Sequence, residues 1–209
     1  MALIVSFDGP KAVGKTTLIE RVRERLTGAG HEAAVLVEKE LLPPAIQNQL
    51  ASLYATFRAA PTAAADQAIA DALRAGRADI STRHLAARGG IVLLDRWYPS
   101  DAVFRRYLSA QDLVANNIAA GARVPDLVIA LVCAPEVSWK RAHQRQRSLD
   151  SKVIADYDSH AASTDNFRQA AATFDWMLME SDRRTPDELA LAACKAITAT
   201  AQNLHPASP

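Results

Sequence analysis

Apolar residues along this chain come in blocks rather than singly. Short runs at residues 3–7, 33–37, 91–94, 127–133 and, more weakly, 176–179 are apolar at nearly every position, and longer segments with apolar residues at helical spacing separate them. A strand without clean alternation must be covered on both faces, so the pattern predicts an α/β fold: a five-stranded parallel sheet with helices on both faces. The spacing predicts helices over 15–27, 45–58, 63–88, parts of 100–120, 135–147, 166–174 and 186–204. Gly28 and Gly30 suit the stop of the first helix, Gly89 and Gly90 close the third, and Asp187 and Glu188 favour the positive start of the last. Residues 148–164 are polar and weakly patterned and read as mobile, and residues 205–209 read as a disordered tail. No repeat or linker divides the chain, so residues 1–209 read as a single domain.

A length of 209 residues suits one such domain. With 49% hydrophobic and 22% charged residues the composition is that of a soluble globular protein, and the formal net charge of +1 gives no field that would draw it to nucleic acid or to a membrane. Any basic site must be local. The longest apolar run, 127–134, is far short of the roughly 20 residues a membrane span needs. Met1 and Ala2 lead straight into a strand without a signal-like segment, so the chain reads as cytoplasmic. Cys133 and Cys194 stand apart in apolar stretches and read as buried free thiols, and the histidines show no zinc-ligand spacing.

The first strand ends in Asp8-Gly9-Pro10-Lys11-Ala12-Val13-Gly14-Lys15-Thr16-Thr17, which is Gly-x-x-x-x-Gly-Lys-Thr between a strand and a helix. That context makes the motif a specific signal for a nucleotide triphosphate. Gly9 and Gly14 let the backbone approach phosphate, and the amides of Lys11, Ala12, Val13, Lys15, Thr16 and Thr17 can point at it from the loop and the helix start. Lys15 is expected to reach the β- and γ-phosphates of ATP and the Thr16 hydroxyl to join a Mg2+ shell. The third strand ends in Asp95-Arg96-Trp97, placing a carboxylate for the metal and a guanidinium for phosphate in the same crevice.

These pieces resemble the thymidylate kinase and deoxynucleoside kinase group of P-loop kinases. The similarity rests on FDGPKAVGKTT (7–17), RGGIVLLDRWYPSDAVF (88–104) and PDLVIALVCAPEVSWKRAHQRQR (125–147), with a weaker match at Thr185-Pro186-Asp187-Glu188-Leu189. The resemblance implies a mobile lid over about 141–164, ATP with Mg2+, and a small acceptor, a nucleotide above all. Arg141 and Arg145 lie four apart on one predicted helix face with Arg147 beyond. In the similar kinases such arginines close over ATP and stabilise the transferring phosphoryl group. Relatives of this kind often dimerise through helices, which leaves a homodimer open.

The departures lie on the acceptor side. Lys11 stands where thymidylate kinases usually carry an acid, Trp97 where they carry Tyr, Phe104-Arg105 where they carry Tyr-Gln, and Ala70 where a base-stacking Phe is expected. Arg74 falls at the substrate-contacting arginine, and Lys39-Glu40 can stand for an Arg-Glu after the second strand. Asp8 and Ser100-Asp101 match the deoxynucleoside kinases, in which the acid before the first loop glycine acts as base on the acceptor hydroxyl, although thymidylate kinases usually have an acid there too. Trp97, Tyr98 and Phe104 are candidates for holding a base. Together Lys11, Lys39, Arg74, Arg77, Arg96 and Arg105 suggest an anionic acceptor, hence a monophosphate. The first reading is a nucleoside monophosphate kinase. The alternatives are a kinase of nucleosides or other small hydroxyl compounds with Asp8 as base, and a P-loop ATPase or switch without a small acceptor.

Overall fold

The computed structural model of the protein describes residues 1–144 and 156–204. Five parallel strands, β1 (Leu3–Asp8), β2 (Ala33–Val37), β3 (Ile91–Asp95), β4 (Leu127–Val132) and β5 (Met177–Glu180), form one sheet in the order β2-β3-β1-β4-β5. Helices α1 (Lys15–Gly28) and α9 (Pro186–Leu204) cover one face; α3 (Pro44–Ala59), α4 (Ala63–Ile80) and α5 (Tyr98–Phe104) cover the other. The period of two in the central strands explains this layering. Leu3, Val5, Phe7, Ile91 and Leu93 pack with Leu18, Val22 and Ile197, while Ile4, Val92 and Leu94 pack with Ile69, Leu73 and Ile80. Each such fully buried aliphatic contributes about 1.5–3 kcal/mol relative to an exposed one. The short α2 (Glu38–Leu41), α6 (Ala110–Ala119), α7 (Pro135–Gln144) and α8 (Tyr157–Thr173) complete the fold. No described helix is long and apolar enough to cross a membrane. Cys133 is buried, Cys194 is half-buried, and both are free thiols.

Three segments differ from the sequence expectation. The predicted helix 63–88 is α-helical only to Ile80 and continues as one wider π turn, Ser81–Leu85. There the Ser81 hydroxyl donates to the Arg77 carbonyl (2.7 Å) and accepts from the Arg123 amide (2.8 Å). The segment 100–120 splits into α5 and α6 because the Asp66 carboxylate takes the amides of Arg106 (2.7 Å) and Tyr107 (3.0 Å) just beyond α5. Helix α8 begins at Tyr157, well before the expected residue 166, so the carboxyl end of the segment read as mobile is helical. Asp156 caps it by accepting the Ser159 amide (2.7 Å). Its buried positions, His160, Ser163, Thr164, Phe167, Ala170 and Ala171, keep a helical period but are mostly small or polar, so no apolar stripe marks them. The rest of the expected lid, residues 145–155, and the tail 205–209 lie outside the described residues.

The stretch around Thr185 that resembles the kinase group is a capping box. The Thr185 amide (2.7 Å) and hydroxyl (2.9 Å) donate to Glu188 Oε2, and the Glu188 amide donates back to the Thr185 hydroxyl (3.2 Å). These bonds hold the Glu188 carboxyl below its usual range. A depressed carboxyl contributes stability above its unfolded pKa and loses it as pH falls through the folded value. Thr185→Ala is therefore expected to lower Tm by about 2–4 °C at neutral pH. The gap to the parent should narrow below pH 4, which melting curves of both proteins at the two pH values will check.

Candidate active site

The loop between β1 and α1 is shaped before any ligand arrives. Gly9 has φ 145°, and a β-carbon there would stand 2.0 Å from the Leu131 carbonyl oxygen on β4, so only glycine fits so close an approach. Ala12 (φ 60°) and Gly14 (φ 101°) complete the reversal with left-handed backbone. The Ser181 hydroxyl, just after β5, donates to the Val13 carbonyl (2.6 Å) and braces the loop from the neighbouring strand end. Gly14 opens α1 with no side-chain cap and no acid follows in the first turn, which leaves the positive helix end available to an anion. Thr16 and Thr17 are exposed on that turn, and Lys11 and Ala12 are half-buried. Lys15 is buried, and its ammonium donates to the carbonyls of Gly9 (3.0 Å) and Pro10 (2.7 Å). Burial, then Arg96, push its pKa well below the ordinary lysine value, with Asp95 and Asp8 opposing.

Pairing of β3 with β1 brings Asp95 level with Phe7, and pairing with β2 brings it level with Val37, so its half-buried carboxylate stands at the same sheet edge as the loop. Arg96 follows in the left-handed region (φ 70°), a conformation costing a bulky residue of order 1–3 kcal/mol. Its amide donates to the Phe7 carbonyl (3.1 Å), and its guanidinium donates to the Gly9 carbonyl (3.0 Å) and the Ser100 hydroxyl (3.2 Å). The guanidinium carbon stands 5.3 Å from the centre of the half-buried Phe104 ring. Asp8 holds this turn from beneath. Its Oδ1 accepts from the Trp97 amide (3.1 Å), the Ser100 amide (3.0 Å) and the Ser100 hydroxyl (2.6 Å). Burial pushes its carboxyl above the ordinary range against those hydrogen bonds.

Several residues expected to meet the acceptor are enclosed instead. Trp97 is wholly buried among the core residues beneath β3, its indole N–H donating to the Arg123 carbonyl (2.9 Å). Asp8 and Ser100 are buried against each other. Arg105 is buried as well, donating to Asp66 (3.0 Å); its Nε stands 3.0 Å from Asp101 as an ion pair without hydrogen-bond alignment. Arg77 is 1% exposed and is held by Glu38, Asp101 (2.9 Å) and Asn117 (3.2 Å). Guanidinium groups this deep must be paired. Two of the cations counted towards an anionic acceptor are thus neutralised within the fold. Ala70, where a stacking ring was expected, packs under Ala102 and Leu113. Of the other cations, Lys39 is exposed and Arg74 pairs with Asp71 (2.9 Å). Arg141 is half-buried on α7, while Arg145 and Arg147 lie outside the described residues.

The sequence reading missed Glu38, Asp66 and Asn117 as partners in this network. Glu38 is the residue immediately after β2, next to the Lys39-Glu40 pair singled out from the sequence, and it is the one that turns inward. Burial pushes its carboxyl up, with Arg77 opposing.

A family model described as thymidylate kinase matches residues 7–189, from the end of β1 to the start of α9. The chain belongs to the thymidylate kinase family. It is 33% identical over 153 residues to the thymidylate kinase of Geobacter sulfurreducens, covering 71% of each chain. Against that of Caulobacter vibrioides the identity is 32% over 161 residues, covering 72% of this chain and 75% of the relative. Against that of Xanthomonas euvesicatoria it is 29% over 174 residues, covering 82% and 70%. As a member of this family the protein is an ATP-dependent nucleotide kinase, a phosphotransferase built on a P-loop.

In this family member the buried network makes a stability prediction. Arg77→Ala leaves Glu38 and Asp101 buried without their cation and is expected to cost about 3–5 kcal/mol of folding free energy. Arg74→Ala breaks only the pair with Asp71, whose side chains are 30% and 47% exposed, and is expected to cost no more than about 1 kcal/mol. Urea unfolding of the two variants beside the parent measures the contrast.

Proposed function

We propose that the enzyme transfers the γ-phosphoryl group of Mg·ATP to the phosphate of a nucleoside monophosphate in the cytoplasm, and that its acceptor is not restricted to thymidylate. The observation that carries this reading is a convergence of charge. The Lys15 ammonium and the Arg96 guanidinium both donate to the Gly9 carbonyl, each at 3.0 Å. Phosphate oxygens between them are better acceptors and would relieve the repulsion by Arg96 that, after burial, lowers the Lys15 pKa. Lys15, the loop amides and the start of α1 would hold the donor's β- and γ-phosphates. Arg96 would reach from the donor towards the acceptor phosphate.

The donor set suits Mg2+. Thr16 and Asp95 offer hard oxygen ligands. A cation bound by few protein groups, completing its shell with phosphate and water, is what Mg2+ prefers. When bound it would neutralise charge across the β- and γ-oxygens. Transfer then depends on in-line positioning and on cations, with Arg141, Arg145 and Arg147 proposed for the migrating phosphoryl group.

On the acceptor side, Lys11, Lys39 and Arg74 are proposed to meet the phosphate and Phe104 the body of the substrate. The relatives carry the name thymidylate kinase, but the departures at Lys11, Phe104, Arg105 and Ala70 favour a different fit to the base. Asp8 as base on a hydroxyl acceptor is less well supported, because Asp8 is 0% exposed and three donors occupy one of its oxygens. A homodimer through helices belongs to the same proposal.

An ADP-release screen over nucleosides, common monophosphates and no acceptor tests it. Turnover should require a monophosphate, vanish in Lys15→Ala, and fall roughly 10²–10³-fold in kcat in Arg96→Ala. Turnover confined to unphosphorylated acceptors, or ATP hydrolysis indifferent to any acceptor, would overturn the reading.

A further inference from the structure

Helices α7 and α8 meet at a buried polar contact. His160 Nε2 of α8 stands 2.6 Å from the Ser138 hydroxyl of α7, and both residues are buried. The Ser138 hydroxyl also donates to the Pro135 carbonyl (3.1 Å). A hydroxyl has one proton, so both contacts are satisfied together when His160 is neutral, carries its hydrogen on Nε2 and donates to Ser138. Nδ1 is then bare, and it has no hydrogen-bond partner among the described residues. The Trp139 ring covers the contact, its centre 5.6 Å from that of His160, with His143 (4.8 Å) and Tyr157 (5.7 Å) packed round it.

A proton added at Nδ1 would create a buried charge with nothing to donate to. The tryptophan ring would favour an imidazolium, but burial prevails and holds the His160 pKa below the ordinary value of about 6.5. Other charge nearby is engaged or exposed. Asp101 of α5 is held by Arg77 and Arg105, Glu180 of β5 by Arg168 and Arg183, and Asp165 of α8 by Arg168. Asp156 caps α8, β4 carries no titratable residue, and Glu136, Lys140, His143 and Asp158 are exposed. Arg106, just beyond α5, acts on Asp156.

The contact bears on the reaction through α7. Arg141 lies three residues past Ser138 on that helix, so what seats the turn at Ser138 also sets where the Arg141 side chain begins.

We propose that neutral His160 is a positioning residue for phosphoryl transfer: by donating to Ser138 it seats α7 on α8 and holds Arg141 for the migrating phosphoryl group, and protonation of the imidazole releases that seat. The inference rests on the role given to Arg141 in the proposed function. Its sign follows from the lowered pKa. The seat is complete above the unfolded value of about 6.5 and is lost as pH falls through the folded one.

The test measures kcat with the best monophosphate, the KM of ATP and Tm between pH 5 and pH 8. It compares the parent with Ser138→Ala and with His160→Gln, whose amide can donate from the place of Nε2 and does not titrate. At pH 8 Ser138→Ala should lose about tenfold in kcat, the worth of one hydrogen bond, with the ATP KM within about twofold. His160→Gln should keep kcat within about threefold of the parent. Below pH 6 the kcat of the parent relative to His160→Gln should fall, by up to about tenfold per pH unit, and recover on return to pH 8. That ratio cancels titration of the substrate phosphates. A flat ratio from pH 8 to pH 5 would overturn the inference, as would parental kcat in folded Ser138→Ala. So would His160→Gln no faster than Ser138→Ala at pH 8, or an ATP KM that rises as far as kcat falls, which marks general loosening. Where Ser138→Ala does not fold, the pH ratio decides. All these outcomes leave the proposed function standing; a parent that phosphorylates no monophosphate overturns both.

Discussion

Two cations sharing one carbonyl oxygen is the constraint around which this molecule is arranged. Lys15 comes from the start of α1 and Arg96 from the end of β3, and both donate to Gly9. Like charges in a buried site repel strongly because little solvent screens them, and the lowered Lys15 pKa, due first to burial and then to Arg96, is the sign of it. The fold has to hold the pair together. Adjacency of β1 and β3 brings the segments side by side, the left-handed turn at Arg96 aims the guanidinium back across the loop, and Asp8 fastens that turn through Trp97 and Ser100. The result is a site preorganised for a polyanion before one is present.

The side of the crevice proposed for the acceptor is built on the opposite principle. Arg77 and Arg105 are enclosed with Glu38, Asp66 and Asp101 and spend their charge within the fold, tying α2, α4 and α5 to one another. A pairing this deep is weak evidence for net stability, because desolvation offsets much of the attraction, but its geometry is demanding: losing one partner strands the others. The network therefore fixes the helices that flank the acceptor side and does not supply cations to it. Under the proposed function, phosphate attraction would fall to Arg96 and to the more accessible Lys39 and Arg74.

Legibility from sequence followed the kind of force at work. The central strands were readable because burial on both faces demands apolar residues throughout, and Leu3, Ile4, Val5, Val92, Leu93 and Leu94 obey. The phosphate loop was readable because backbone approach at Gly9 and reversal at Gly14 admit few residue types. Which cations face a substrate was not readable. Arg77 and Arg96 are the same residue type near the same sheet edge, and only the placement of Glu38 and Asp101 separates the buried one from the available one. Trp97 was open to either reading, since an aromatic next to a strand end can face inward or outward; packing with Ile4 and Val92 and a bond to the Arg123 carbonyl turn it inward.

Helix α8 escaped the hydrophobic pattern for the reason that makes it interesting. A helix covering a sheet edge ordinarily presents Leu or Ile at its buried positions, and their branches fill the space towards the neighbouring element. Here those positions carry His160, Ser163, Thr164 and alanines, with Phe167 as the one large apolar anchor, set edge-on to Phe104 at 5.4 Å. His160 Nε2 meets the Ser138 hydroxyl at 2.6 Å, which satisfies one polar group by joining α7 to α8. Small residues on the remaining face leave space that aliphatic side chains would have closed, a cleft of about 280 Å3 lined by Phe104, Arg105 and Arg106 as well as by Ser159, Ser163 and Asn166. An apolar stripe would have made α8 visible in the sequence and would have filled the cleft; the composition that hides the helix is the one that keeps the cleft open.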